Sequence, residues 1–113
     1  MRLKSAIFVS ALIRRAGVEG AFAAVRRRGS EEAGAIFVKV ATLDGRAALF
    51  GPALPSLDAA PEEGRLFTAL VPAEAPEAEA EERMRREIRF DPDLWFVEIE
   101  DRAGRVFLDL APS

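Results

Sequence analysis

FDPDLWFVEIEDRAGRVFLDL, residues Phe90–Leu110, decides how the rest of the chain is read. Asp91-Pro92-Asp93 stops a preceding helix, because the residue before a proline avoids the α conformation. Leu94–Glu100 and Arg105–Leu110 then read as strands, with turn chemistry at Asp101-Arg102-Ala103-Gly104 between them. The expectation is an antiparallel hairpin with Glu100 opposite Arg105, Ile99 opposite Val106 and Val97 opposite Leu108. A two-residue turn at Ala103-Gly104 shifts that register by two. Either register places Trp95, Val97 and Ile99 with Val106, Leu108 and Leu110 on one core face. The opposite face sets Phe96 and Phe107 among Glu98, Glu100, Arg105 and Asp109.

Upstream, Pro76 opens a helix over Glu77–Arg89. Its acids (Glu77, Glu79, Glu81, Glu82) precede its arginines (Arg83, Arg85, Arg86, Arg89), the order that suits the helix dipole. Glu79–Arg83, Glu81–Arg85 and Glu82–Arg86 stand at i,i+4, each pair worth a few tenths of a kcal/mol. Only Ala80, Met84 and Ile88 form an apolar stripe, so this helix is expected on the outside of a sheet. Leu66–Val71 adds a strand before it. Gly51–Gly64, punctuated by Pro52, Pro55 and Pro61, reads as a surface loop.

In the first half, Ala35–Phe50 carries the clearest hairpin signal. Asp44-Gly45 favours a two-residue turn. That turn pairs Leu43 with Arg46, Val40 with Leu49 and Lys39 with Phe50. Val38, Val40 and Leu49 then share one face, and Phe37, Ala41, Ala48 and Phe50 the other. A strand with two apolar faces belongs at the centre of a sheet covered on both sides. Phe22–Arg28 reads as a further strand, closed by a turn over Gly29–Gly34. Gly29, Gly34 and Gly45 all have turn explanations. Leu3–Val9 is open to two readings: a buried strand before a short Ser10–Gly17 helix, or part of one helix over Ser5–Ala16.

A chain of 113 residues accommodates one domain, residues 1–113. It contains no apolar run near the roughly 20 residues of a membrane span. Arg2, Lys4 and the apolar Ala6–Ile13 faintly resemble an export signal, but Ser10 and Arg14-Arg15 interrupt it. With no cysteine there is neither a disulfide framework nor a thiolate, and a cytoplasmic setting is expected. The sequence also lacks His and Tyr. Ser-His and Cys-His catalysis and imidazole metal sites are therefore excluded. Residues 1–50 carry nine Lys/Arg against four Asp/Glu (+5), and residues 51–113 seven against fifteen (−8). Such asymmetry can serve self-association, although charges of the two halves also mix when they fold together.

Three chemistries compete. Asp91, Asp93, Glu98 and Asp109 are candidate oxygen ligands for Mg²⁺ or Ca²⁺, or a general acid–base pair, in a metal-assisted enzyme. Turn roles for the aspartates and pairing of the strand acids with Arg102 and Arg105 are the structural alternative. Arg26-Arg27-Arg28 is a candidate phosphate or nucleic-acid contact. Strand alternation lets at most Arg26 and Arg28 act together, and an isoelectric point near 5.1 disfavours nucleic acid. The glycines form no nucleotide-binding loop. Phe96 and Phe107, rimmed by Glu98 and Arg105, are a candidate protein-interaction surface if nothing in the chain covers them.

The opening Arg2-Leu3-Lys4-Ser5, the segment RRGSEEAGAIFVK (Arg27–Lys39) and the segment EIRFDPDLWFVEIED (Glu87–Asp101) resemble the alphaproteobacterial domain-of-unknown-function family 1491. The resemblance spans essentially the whole chain. It implies a single small bacterial domain in a cytoplasmic setting and brings no catalytic residue, substrate or cofactor.

The expected fold is α+β: a mainly antiparallel sheet of five to six strands with two packed helices. The sheet becomes mixed if Leu3–Val9 is a strand that starts a βαβ crossover, and three layers form if the helices take opposite faces. The expected function is a non-enzymatic protein-interaction or regulatory module, without cofactor or membrane. Its partner is another protein or a second copy of itself.

Overall fold

Six consecutive buried residues, Ile36–Ala41, form the strand β2 at the centre of the sheet. The structure, a computed structural model, describes residues 3–53 and 64–112. In chain order it contains α1 (Ser5–Val18), β1 (Phe22–Arg27), β2, β3 (Ala47–Pro52), β4 (Phe67–Val71), α2 (Glu77–Phe90) and β5 (Trp95–Glu100). The sheet order is β1-β5-β2-β3-β4. β2 and β5 run parallel, and every other neighbouring pair is antiparallel. β3, β4 and α2 together make the crossover that a parallel pair requires. The sheet is therefore mixed, but the parallel pair comes from this late crossover and not from an N-terminal strand.

Side-chain alternation along β2 divides the interior in two. Ile36, Val38 and Val40 pack with Trp95, Val97 and Ile99 of β5 against Val9, Leu12 and Ala16 of α1. Phe37 and Ala41 pack with Leu49 and Phe96 against Ala80 and Met84 of α2. The helices thus cover opposite faces, giving three layers.

Leu3–Val9 is not a strand. One helix covers Ser5–Val18, and Ser5, Val9, Leu12 and Ala16 recur at helical spacing on its buried side. Periodicity over the whole segment outweighs the local β-branched run Ile7-Phe8-Val9. No side chain caps this helix; the Ser5 and Ala6 N–H groups instead donate to the carbonyls of Glu32 and Glu31 at 3.1 and 2.9 Å.

The β2–β3 register differs from expectation by one residue: Val38 faces Phe50, Lys39 faces Leu49 and Val40 faces Ala48. Asp44 is the reason. Its carboxylate accepts from the Thr42 hydroxyl at 2.6 Å and the Arg46 N–H at 3.2 Å, while the Thr42 N–H donates to the Arg46 carbonyl. This closes a three-residue loop, Leu43-Asp44-Gly45, with Gly45 at φ 87°. The slip exchanges the faces of β3: Ala48 and Phe50 join Val38 and Val40, and Leu49 joins Phe37.

Arg105–Leu110 does not pair with β5. Both edges of β5 are occupied, by β1 and β2, so no position remains for a hairpin partner. The Asp101–Gly104 turn does form, the Gly104 N–H donating to the Asp101 carbonyl at 2.9 Å. The chain then crosses the α1 layer, where Val106, Phe107 and Leu108 pack on the first core, and Leu110 forms an isolated bridge with Phe67. Most of the proline-rich loop expected at Gly51–Gly64 lies outside the described residues.

Gly29 and Gly34 are needed for close approach, not for a turn dihedral. A Cβ on Gly29 would lie 2.3 Å from the Asp93 carbonyl oxygen and 2.5 Å from the Leu94 carbonyl carbon. A Cβ on Gly34 would lie 2.6 Å from that same Asp93 oxygen. The contact lets the Ser30 N–H reach the Asp93 carbonyl at 2.9 Å and the Trp95 Nε1–H reach the Ser30 carbonyl at 2.7 Å. We expect Gly29→Ala to force these backbones apart and cost about 1–3 kcal/mol in urea unfolding. An unchanged midpoint would refute the close approach.

A buried charged layer as the candidate functional site

The described charged side chain best shielded from water is Lys39, 3% exposed in the middle of β2. It sits on the α2 side among Phe37, Ala41 and Leu49, so its ammonium requires partners. They come from two elements. Glu77 and Glu81 are on the sheet-facing side of α2, and their oxygens lie 2.6 Å from Lys39 Nζ. Glu98, directly opposite Lys39 on β5, lies at 3.6 Å.

A second cation completes the group. The β1–β5 register shifts between Val25 and Arg27, leaving Arg26 as the extra residue of a β-bulge. Its guanidinium stacks over the Phe96 ring, 4.7 Å from the centroid. It donates to Glu98 at 2.6 Å and to both oxygens of Glu81 at 2.9 Å. Arg26 thus ties β1 to α2 across β5, and Glu81 bridges both cations.

These contacts shift the titration of the group. Hydrogen bonds from Arg26 lead the effects that pull Glu81 down from 4.5 to about 2, against its desolvation and with help from Lys39. Burial works to lower the Lys39 value, but hydrogen bonds to Glu77 and Glu81 and the nearby carboxylate charges raise it above the ordinary lysine range. Arg26 is also raised, chiefly by Glu81. Lys39 is therefore a locked ammonium at neutral pH, without the free amine that a nucleophile or general base needs.

Glu81 is occupied by this layer, so the expected Glu81–Arg85 pair does not form, and Arg85 takes Glu82 at 2.8 Å. Arg83 pairs with Glu87 at 3.0 Å and not with Glu79. Glu82–Arg86 forms at 3.8 Å. Lys39, Glu77 and Glu81 were not singled out from sequence. The available signal was Lys39 itself, a lone cation inside the apolar run IFVKVA, with Glu77 and Glu81 in line with the Ala80–Met84 stripe.

The structure does not bring Asp91, Asp93, Glu98 and Asp109 together. Asp91 closes α2 and accepts the Asp93 N–H at 3.0 Å. The Asp93 carbonyl serves Ser30, the Asp109 carbonyl accepts the Phe67 N–H at 2.9 Å, and Glu98 faces Arg26 and Lys39. Among the described residues no three acidic side chains are placed to hold a metal ion. Phe96 and Phe107 do not share a face either, because the expected hairpin is absent. Phe96 is buried against α2, whereas Phe107 packs on the α1 side beneath Arg15 and Arg105. Arg105 forms a two-pronged pair with Asp101 at 2.9 and 3.0 Å, holding that carboxyl below its usual range.

The bulge also changes the arginine run. Arg26 and Arg27 line the same groove beside Phe96, while Arg28 turns to the other side and lies over Trp95 at 5.1 Å. Arg28 pairs with Glu31 at 3.3 Å, and Arg27 Nη2 donates to the Pro92 carbonyl at 2.9 Å.

The family model described as "Protein of unknown function (DUF1491)" matches residues 3–109. The chain belongs to the DUF1491 family. Solved structures agree in fold across the chain. A DUF1491 family protein from Caulobacter crescentus CB15, solved by crystallography, is 40% identical with a TM-score of 0.82, covering 99% of this chain and 100% of that one. The solution structure of protein Atu0922 from A. tumefaciens is 45% identical with a TM-score of 0.83, covering 100% and 98%. No curated protein matches the chain. No helix of this DUF1491 domain among the described residues is long and apolar enough to cross a membrane.

The Glu81 shift sets a pH window for the DUF1491 domain. A carboxyl held below its unfolded value stabilises fully above about 4.5, and that contribution is lost as pH falls toward 2. We expect the urea midpoint to fall more steeply between those values in the native protein than in Glu81→Gln. Parallel profiles would show that Glu81 does not carry the effect.

Proposed function

We propose that this domain is a non-enzymatic interaction module that self-associates through the open edge of β1, in a cytoplasmic setting. The observation carrying this reading is the apolar exposure of that edge. Among the described residues β1 pairs on one side only, Phe22 at its start is 61% exposed, and Val18 at the end of α1 is 77% exposed. Val25, further along, is also exposed. An unpaired edge offers backbone donors and acceptors for strand addition. The Arg26 bulge confines a regular added strand to Phe22–Val25, since bulges end pairing.

Charge favours a second copy as the occupant. Glu19 and Glu100 border the start of β1, and Arg27 and Arg28 close its end. Two β1 strands paired antiparallel about a twofold axis set the basic end of each beside the acidic end of the other. The ionic groups around buried Lys39 support a non-enzymatic role, because Lys39, Arg26, Glu81 and Glu98 are mutually neutralised where sheet meets helix.

Size-exclusion chromatography with light scattering, from micromolar to submillimolar protein, tests the proposal. A dimer that Phe22→Glu converts to a folded monomer is the expected result. A native protein that stays monomeric at every concentration contradicts it.

A further inference from the structure

A groove of about 330 Å³ opens between the C-terminal half of α2 and the end of β1. That volume is in the range that small ligands use, roughly 300–1,000 Å³. Met84, Ile88 and Phe96 form its apolar wall, and Arg26, Arg27 and Arg85 bring charge to its sides. Two of these cations are already answered: Arg26 by Glu81 and Glu98, and Arg85 by Glu82. Arg27 is not. Among the described residues it has no carboxylate within ion-pair distance, and its one hydrogen bond goes to the neutral Pro92 carbonyl. Its Nε is buried and has no hydrogen-bond partner. A guanidinium without a counter-charge beside apolar side chains is costly, and an anion bound in the groove against its outer N–H groups would lower that cost.

We propose that this groove binds a small organic monocarboxylate. The carboxylate lies between Arg27 and Arg85, and the apolar body rests on Ile88, since Met84 and Phe96 themselves present almost no accessible surface. The planar guanidinium fork suits a carboxylate. One unanswered cation calls for one negative charge, and Glu81 on the groove wall disfavours a dianion such as a phosphate monoester. The site adds to the interaction role and does not depend on self-association.

Titration of the full-length, ¹⁵N- and methyl-labelled protein with sodium hexanoate, hexanol and inorganic phosphate tests the proposal by NMR. Hexanoate is expected to produce saturable shifts at the Arg27 Nε–H and at the Ile88 methyls, which equal concentrations of hexanol and phosphate do not reproduce. Arg27→Gln and Arg85→Gln are each expected to weaken hexanoate binding by about tenfold, the loss of one charge-assisted contact. Arg85 is exposed, so its variant decides the matter if Arg27→Gln does not fold. Absence of saturation, equal shifts from hexanol or phosphate, or unweakened binding by Arg85→Gln would overturn the proposal.

Discussion

A lysine ammonium buried in the central strand is the constraint on which the α2 layer depends. Lys39 cannot be solvated where it stands, so carboxylates must converge on it from the helix above and the strand beside it. That requirement fixes which side of α2 faces the sheet. Ala80 and Met84 alone give the helix a narrow greasy contact, which a small rotation could satisfy almost as well. Glu77 and Glu81 remove that freedom, since only one rotation brings both to Lys39. Arg26 then draws the edge strand into the same group by way of its bulge. Buried ionic groups of this kind add little net stability over an apolar replacement, and their best-attested contribution is to select one packing.

The sequence reveals the elements of this fold better than their partners. Among the described residues, α2 and the five strands are legible from apolar period and punctuation, including Pro76 before α2 and the two-faced apolar character of β2, whereas the local β-branched run Ile7-Phe8-Val9 leaves α1 open between a strand and a helix. What local reading misplaces is pairing. Arg105–Leu110 has the composition of a strand and an adequate turn before it, but β5 is flanked by β1 and β2, which lie distant in sequence. Composition cannot report that a strand's edges are already occupied. The β2–β3 slip has a smaller cause: Asp44 serves Thr42 and Arg46 with its side chain, which lengthens the turn by one residue and exchanges every face of β3.

The charged layer was hidden for a related reason. Glu81 reads naturally as the i,i+4 partner of Arg85, worth a few tenths of a kcal/mol on a solvated helix. Its actual partners are 42 and 55 positions away, and the cations it meets are placed by a strand and a bulge. Arg26 likewise reads as one of three equivalent arginines. The bulge makes them unequal: Arg26 is built into the fold, Arg27 borders a groove without a counter-charge, and Arg28 covers Trp95 from the other face. Family membership places the chain among proteins of shared fold and unassigned activity, so functional meaning must come from such differences between neighbouring side chains.

Native-state hydrogen exchange on Lys39→Met tests the central claim most directly. If Lys39 positions α2, removing the cation leaves carboxylates facing one another, and the Glu77–Phe90 amides should lose protection as a unit. The β2 and β5 amides should then keep a higher opening free energy than α2. Uniform loss of protection in helix and sheet, or no loss in α2, would contradict the account.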